Sequence, residues 1–391
     1  MYPRKIYSQL EAHLATPQVT VITGMRRTGK TTAVKHLMEK ITSKNKIYID
    51  LERLDNRRIF DQENYDVVLN SFGQLGLDAK QKAYVFLDEI QLVKNMPSII
   101  KYLYDTYQIK FIVTGSSSYY LKNLFSESLA GRKKIFELYP LDFSEFLTFK
   151  NIPHKDESFT NKQFSLAEYE RLRGYYEEYI AYGGFPKVVM TNNIAEKKEL
   201  LFDILDSYIN IDIKTLADFR SLDNVSKLLK MLSQRAGTKL DYAKISRLTG
   251  ISREAAMNYI DFFEKTYIIF RAPVLASNPD REIVKARKIY FCDNGLLDIL
   301  SDLSGGTKFE NAIFNQLRHH GKIQYYSLKT GREIDFILDG KIGFETKETH
   351  TEQDQRKLDN LCQDAGILTG RLIGRFAAPN FSNYIWGGEI R

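Results

Sequence analysis

The sequence predicts an α/β fold in which a parallel sheet with a phosphate-binding loop is followed by a helical middle and a second, smaller α/β domain. The loop, residues 24–31, lies between an apolar strand and a helix-like segment. Apolar runs within 83–91 and 110–114 are typical of strands in a parallel sheet that is covered on both faces. Near the C-terminus, Asp339-Gly340 separates two strand-like segments and indicates a hairpin.

Length and composition describe a folded protein with more than one domain. The chain of 391 residues is too long for one ordinary core, and its 43% hydrophobic and 27% charged residues are typical of globular proteins. These values exclude a disordered or fibrous protein. The formal net charge of +7 permits a nucleic-acid partner without requiring one, because lysine-rich surfaces are often only well solvated.

Two features predict a cytoplasmic location. The N-terminal segment leads into no apolar signal core and the sequence has no run of about 18 apolar residues, so we expect neither export nor a membrane span. Cys292 and Cys362 are the only cysteines and lack metal-ligand spacing, which favours a reducing compartment without disulfides.

The loop at 24–31 predicts a nucleotide site. Glycines allow the backbone to wrap closely around a polyphosphate, so that amide groups and a helix N-terminus point at the anion. We expect Lys30 to reach the β- and γ-phosphates of ATP and Thr31 to bind the accompanying Mg²⁺ through its hydroxyl. The alternative is a chance match in a glycine turn, against which the flanking strand and helix argue. The predicted nucleotide ligands here are Gly24, Arg27, Thr28, Gly29, Lys30, Thr31 and Thr32.

Two acids, Asp88 and Glu89, follow the apolar run that begins at residue 83. Because parallel sheets bind ligands at the C-terminal ends of their strands, we expect these acids to lie beside the loop. Asp88 would bind Mg²⁺ directly or through water, and Glu89 would polarise the attacking water. The alternative is an exposed acidic strand end.

Two polar residues that follow the apolar run at 110–114 are further candidates for the nucleotide site. Ser116 either approaches the γ-phosphate or caps a helix. Arg132 either neutralises the γ-phosphate of a neighbouring subunit, which requires a homo-oligomer, or belongs to a solvated basic turn.

Six segments together resemble the prokaryotic AAA-type ATPases that are fused to a C-terminal domain of unknown function. They are GMRRTGKTT, YVFLDEIQ, VTGSSS, SLAGRKKIFELYPLDFSEFL, YGGFPKVV and KIYFCDNGLL. The resemblance implies a P-loop ATPase of the AAA or STAND neighbourhood, a winged-helix middle and a restriction-endonuclease-like end. It supplies no physiological role. We place the three domains at residues 1–150, 151–275 and 276–391.

The middle of the chain has the pattern of a helix-turn-helix. A helical pattern at 241–248 is followed by a turn at 249–251, and Ser252 then caps a second helix. On that helix Arg253 and Asn258 could face a DNA groove. The alternative is a module that packs against the nucleotide domain.

Near the C-terminus, hairpin register decides whether two acids meet. A two-residue turn around Gly340 would separate Asp335 and Glu345 across the sheet, whereas a three-residue loop places both on one face together with Lys347. We expect the three-residue loop, with Gly340 in the left-handed conformation. Glu310, on a preceding helix, would approach the same face.

These charged residues resemble a PD-(D/E)xK nuclease site. The resemblance implies Mg²⁺ ligands at Glu310, Asp335 and Glu345, and a water-activating role for Lys347. Ile334 stands where the name-giving motif has proline, a change that the superfamily tolerates. The alternative is an inherited fold whose acids pair with lysine or arginine.

The sequence therefore predicts a cytosolic ATPase with a nuclease-like module, in which the nucleotide state controls engagement of DNA. A competing hypothesis is a regulatory or interaction protein whose nuclease-like fold is catalytically inactive. A motor that remodels proteins is a third, although it leaves the C-terminal acids without a purpose.

Overall fold

The computed structural model describes residues 2–115, 129–214, 222–276, 286–328 and 330–391, which form two compact units. The first unit comprises the described residues of Met1–Tyr139, Asn210–Asp218 and Lys265–Tyr267. The second comprises those of Pro140–Ile209, Phe219–Glu264 and Ile268–Arg391. The chain thus returns twice to the first unit after leaving it. The predicted three-domain division stays a prediction.

A five-stranded parallel sheet forms the centre of the first unit, in the order β2-β3-β4-β1-β5. Every residue of the three inner strands is buried, because helices cover both faces. The three inner strands, which the apolar runs predict, are therefore present. The strands of the sheet are β1 (Val19–Thr23), β2 (Lys46–Asp50), β3 (Tyr84–Asp88), β4 (Lys110–Gly115) and β5 (Lys133–Glu137).

Two apolar cores lie on opposite faces of this sheet. On one face Val21 packs in the core that contains Phe72 and Leu103. On the other, its neighbour Ile22 packs in the core that contains Leu37. This alternation is the period of two expected of a strand. The helices of the unit are α1 (Tyr7–His13), α2 (Lys30–Lys40), α3 (Leu54–Arg58), α4 (Tyr65–Gln74) and α5 (Met96–Tyr107), with a 3₁₀ turn at Ile90–Leu92.

Helices dominate the first half of the second unit, as the sequence predicts. They are α6 (Phe143–Phe149), α7 (Leu166–Tyr182), α8 (Pro186–Met190), α9 (Ile194–Ser207), α10 (Leu222–Ser233), α11 (Tyr242–Thr249) and α12 (Arg253–Lys265), with a π-helical turn at Tyr208–Ile213 after α9. The antiparallel strands β6 (Ile269–Ala272) and β7 (Lys288–Phe291) follow α12. Gly250, with φ 73°, ends α11 in the left-handed conformation, so the two predicted short helices and their turn are present.

A mixed sheet in the order β12-β11-β10-β9-β8 forms the C-terminal part of the second unit. Strands β8, β9 and β10 are antiparallel, whereas β10, β11 and β12 are parallel. Its strands are β8 (Ile323–Ser327), β9 (Glu333–Leu338), β10 (Ile342–Lys347), β11 (Thr369–Gly374) and β12 (Ile385–Trp386). The remaining helices are α13 (Asn294–Leu300), α14 (Gly305–Leu317) and α15 (Glu352–Ala365), of which α15 connects β10 to β11.

Among the described residues, no helix has both the length and the apolar character needed to cross a bilayer.

A buried carboxylate ties the break between α7 and α8 to the start of α13. Asp293 Oδ2 accepts the amide of Gly184 at 2.6 Å, and Asp293 Oδ1 accepts that of Leu296 at 3.2 Å. At Gly183, which has φ 73°, a Cβ would lie only 2.1 Å from Asp293 Oδ1. The two glycines therefore separate the two helices and make room for this carboxylate.

This carboxylate should make the stability of the second unit depend on pH. Burial raises the pKa of Asp293 to about 6. Between about pH 4 and pH 6 the folded protein therefore holds a proton that the unfolded chain gives up, and the free energy of unfolding falls as the pH rises. The contribution is about 3 kcal/mol at most. We expect Asp293→Asn to flatten the dependence of Tm on pH in this window.

The fluorescence of Trp386 provides the measurement, because it is the only tryptophan and lies fully buried in the second unit. Asp354→Asn is the control, since hydrogen bonding to Lys347 and Thr351 outweighs desolvation and lowers the pKa of Asp354 to about 2. Equal slopes for wild type and Asp293→Asn between pH 4 and pH 6 would contradict the assignment.

Candidate nucleotide site and C-terminal acidic cluster

The predicted phosphate-binding loop joins β1 to α2 through backbone conformations that favour glycine. Gly24 has φ 149°, and a Cβ there would lie 2.0 Å from the carbonyl oxygen of Leu138. Gly29 has φ 101° and precedes the first residue of α2. Both glycines are therefore required by the path of the chain.

Lys30 lies within the curve of this loop, where it is only 4% exposed. Its Nζ donates to the carbonyl oxygens of Gly24 and Met25 at 3.0 and 3.1 Å. The same Nζ lies 3.9 Å from Glu89 Oε1. The loop thus holds a buried ammonium group, the charge that a polyphosphate would meet.

Two arginines that the sequence did not single out hold the loop. Arg4 donates through Nη1 to the carbonyl of Thr28 at 3.0 Å. Arg26 donates through Nε to Asp212 Oδ1 at 2.8 Å. Asp212 belongs to the π-helical turn, in a segment that returns to the first unit. The loop is therefore fixed by residues distant in sequence.

The carboxylate of Asp88 accepts three hydroxyl groups. Thr31 donates to Oδ2 at 2.7 Å, and Tyr48 donates to the same oxygen at 3.0 Å. Thr114, at the end of β4, donates to Oδ1. Burial and then the charge of Asp88 raise the pKa of Tyr48 well above its ordinary value, so this hydroxyl stays a donor. The predicted partners Thr31 and Asp88 are thus in direct contact.

Glu89 is oriented by its neighbours. Its amide donates to Thr114 Oγ1 at 2.9 Å, and its carboxylate accepts the side-chain amide of Gln91. With φ 59° its backbone is left-handed, which is unusual for a residue other than glycine. Thr114 therefore contacts both predicted acids of the site.

The donor set fits a nucleotide that carries Mg²⁺. Mg²⁺ in such sites takes one or two protein oxygens and completes its shell with phosphate oxygens and water. The adjacent oxygens of Thr31 and Asp88 are of this kind.

The other predicted nucleotide ligands have different surroundings. Arg27 and Thr32 are exposed, whereas Thr28 is buried and donates to the carbonyl of Met25 at 2.9 Å. Ser116 lies outside the described residues.

Arg132 is not part of the nucleotide site within the chain. Its carbonyl accepts the amide of Val19, so it lies at the start of β1, whereas the loop follows the end of that strand. The start and the end of β1 are roughly 13 Å apart, because the strand has five residues and each step along a strand is about 3.3 Å. Its Nε pairs with Asp105 at 2.7 Å, which agrees with a solvated basic turn. A role in a neighbouring subunit stays a prediction.

The C-terminal hairpin has the three-residue loop that the sequence predicts. Ile342 pairs with Leu338 and Phe344 with Phe336, and this register places Asp335 opposite Glu345. Gly340, with φ 69°, is left-handed as expected.

Lys288, on β7, supplies the cation of the acidic cluster, which we define as Glu310, Glu333, Asp335 and Glu345. Its Nζ lies 2.9 Å from Glu333 and 3.7 Å from both Glu310 and Asp335. Burial alone would lower the pKa of Lys288, but the three carboxylates outweigh it and raise that pKa.

The acids of the cluster repel one another. Burial and then the charge of Asp335 raise the pKa of Glu310 to about 7 and that of Glu345 to about 8. Glu310 does reach the cluster from α14, as predicted, and its Oε1 accepts the hydroxyl of Tyr290 at 2.8 Å.

Lys347 lies close enough to Glu345 for its charge to oppose the rise in the pKa of that carboxyl, and its predicted water-activating role stays a prediction. Its Nζ pairs with Asp354 on α15, because that carboxylate lies at the start of the helix that follows β10. The ammonium of Lys288 contacts three members of the cluster, Glu310, Glu333 and Asp335. No sequence pattern predicts this contact, since residues 288 and 335 belong to separate strand pairs.

The cluster does not fit Mg²⁺ in this arrangement. Within the described ranges, no group of three or more His, Cys, Asp or Glu side chains is placed to hold a metal ion. Asp335 Oδ2 already accepts the amide and hydroxyl of Thr346, at 2.9 and 2.8 Å, and Oδ1 faces Lys288. Two of the predicted metal ligands, Glu310 and Asp335, therefore face the Lys288 ammonium.

Comparisons with known proteins extend over most of the chain. Residues 16–147 match the family model described as an AAA domain, and residues 173–307 match that of a domain of unknown function. An uncharacterised protein of Methanocaldococcus jannaschii is 29% identical over 378 residues, which cover 92% of this chain and 82% of that protein. One of Haemophilus influenzae is 27% identical over 379 residues and covers 90% of each chain.

Among solved structures, the Holliday junction branch migration motor RuvB of Thermotoga maritima is 15% identical. The match has a TM-score of 0.33 and covers 70% of this chain and 90% of that one. The family match, together with the loop geometry, indicates that residues 16–147 form an AAA-type P-loop domain.

Proposed function

We propose that the protein binds ATP with Mg²⁺ and hydrolyses it. The observation that carries this proposal is the contact of Thr31 Oγ1 with Asp88 Oδ2 at 2.7 Å, beside the buried ammonium of Lys30. A glycine-rich loop, a buried lysine and a hydroxyl–carboxylate pair are the parts that phosphoryl-transfer sites of this class need.

Each residue would then have a separate task. The Lys30 ammonium binds the β- and γ-phosphates, and Thr31 with Asp88 would hold Mg²⁺, which neutralises phosphate charge when bound. The Glu89 carboxylate, held by Gln91, orients the attacking water. Thr114 keeps Asp88 and Glu89 in register through its two hydrogen bonds.

For the second unit we propose engagement of DNA under control of the nucleotide state. Arg253 and Asn258 are exposed on α12, immediately after the Gly250 turn, which supports a role of this helix in a DNA groove. DNA cleavage is not part of this proposal, because Lys288 pairs with the acidic cluster and the cluster does not fit a metal. The competing hypothesis is a protein-interaction module in a nucleotide-dependent regulator.

Lys30→Ala should lower ATP affinity by roughly 100-fold, because it removes the buried charge that meets the phosphates. Glu89→Gln should bind ATP normally and fail to turn it over, since the amide cannot polarise water. Equilibrium binding of a fluorescent ATP analogue and steady-state phosphate release distinguish the two defects. Lys35→Ala, an exposed lysine on the same helix, is the control. Wild-type hydrolysis by Lys30→Ala would overturn the assignment of the loop.

Thr114→Val should lower kcat for ATP hydrolysis roughly 10-fold or more, because Asp88 and the Glu89 amide both lose a partner. Thr114→Ser keeps the hydroxyl and should retain most of the rate. Phosphate release at saturating ATP provides the measurement. If the valine and serine variants were equally active, Thr114 would have only a packing role.

DNA binding should weaken steeply with salt, because contacts to phosphates release condensed counterions. We expect Arg253→Ala to reduce the slope of log Kd against log salt concentration by about 1 if Arg253 contacts a phosphate. Fluorescence anisotropy with a labelled duplex, with and without ATP, provides the measurement, and Arg173→Ala, which replaces an exposed arginine on α7, is the control. Absence of binding at low salt would favour the interaction-module hypothesis.

A further inference from the structure

We propose that Lys288 is the built-in cation of the acidic cluster, so that the second unit binds no divalent metal there while this ammonium is in place. Replacing Lys288 with a neutral side chain should then uncover a divalent-cation site. The proposal is independent of ATP hydrolysis, which uses residues of the other unit.

The position of the ammonium supports this inference. The Lys288 side chain is 2% exposed, and its Nζ contacts carboxylates from α14 and from β9. Its backbone is held on both sides, by Ala272 in β6 and by a bridge with Lys239. The ammonium is therefore fixed among the acids by the strand that carries it.

The acids, by contrast, remain accessible to a cation from solvent. The Asp335 side chain is 14% exposed, Glu310 21% and Glu333 32%. Access therefore does not explain why no three of these acids are placed to hold a metal. A divalent cation entering the cluster would instead be repelled by the buried Lys288 ammonium, whose charge is little screened in such a site.

If Lys288 has only a structural role, we expect a different effect of replacing it. Removing one partner of a buried ion pair leaves uncompensated charge. If the cluster cannot form a metal shell, the variant will only be less stable. If Lys288 stands in place of a metal, the variant will bind a divalent cation, which neutralises the uncompensated carboxylate charge.

The test is a titration with Mn²⁺, a paramagnetic substitute for Mg²⁺, followed by electron paramagnetic resonance of the full chain without nucleotide. All samples carry Asp88→Asn, so that the carboxylate proposed to hold Mg²⁺ in the first unit makes no contribution. We expect the parent to bind no Mn²⁺ up to about 1 mM. Adding Lys288→Met should create one site at least about tenfold tighter than any in the parent.

Two controls locate the new site. Adding Glu345→Gln to the Lys288→Met protein should abolish it, because the carboxylate opposite Asp335 is lost. Lys239→Met removes a lysine that pairs with Glu333 at 3.2 Å but is 39% exposed, and it should create no site. Trp386 fluorescence confirms folding, and Lys288→Gln replaces the methionine variant if that does not fold.

Two results would overturn the proposal. One is Mn²⁺ binding by the parent that is lost on Glu345→Gln, because a metal would then coexist with Lys288. The other is a folded Lys288→Met or Lys288→Gln protein that gains no site, which would leave Lys288 a structural ion-pair partner. Neither result bears on ATP hydrolysis, so the two proposals fail separately.

Discussion

The carboxylate of Asp88 is the point on which the nucleotide site depends. It accepts hydroxyl groups from the start of α2, from β2 and from β4. Because β2, β3 and β4 are adjacent and parallel, their C-terminal ends meet at one edge of the sheet. Three donors fix the direction of this carboxylate and so hold the loop to the edge of the sheet.

The parts of the site that are contiguous in the sequence could be predicted from it. The residues that reach the site only because their strands are adjacent in the sheet could not. The loop and the acids after β3 are contiguous motifs, and hairpin loop length alone sets the pairing of Asp335 with Glu345. Tyr48 and Thr114 are ordinary strand residues by sequence, and only the order β2-β3-β4 brings them to Asp88. Lys288 was missed for the same reason, since no short-range pattern links it to β9.

The acidic cluster shows how a similar set of charges can serve different ends. Carboxylates from a helix and two strands form a site for a metal only if no other cation neutralises them. Here β7 brings an ammonium group among them, and the ion pairs join β7 to α14 and to β9. A buried ion pair of this kind costs desolvation, and its best attested benefit is to fix the register of the elements it joins.

The contact between Arg26 and Asp212 has a consequence for biosynthesis. The two residues are 186 positions apart, although both belong to the first unit. At translation rates of about 5 to 20 residues per second, Asp212 leaves the ribosome roughly 10 to 40 seconds after Arg26. During that time Arg26 lacks Asp212 but can pair with the carboxylate of Glu52, at 3.6 Å. The phosphate-binding loop therefore gains its contact with Asp212 only after much of the helical region has been synthesised.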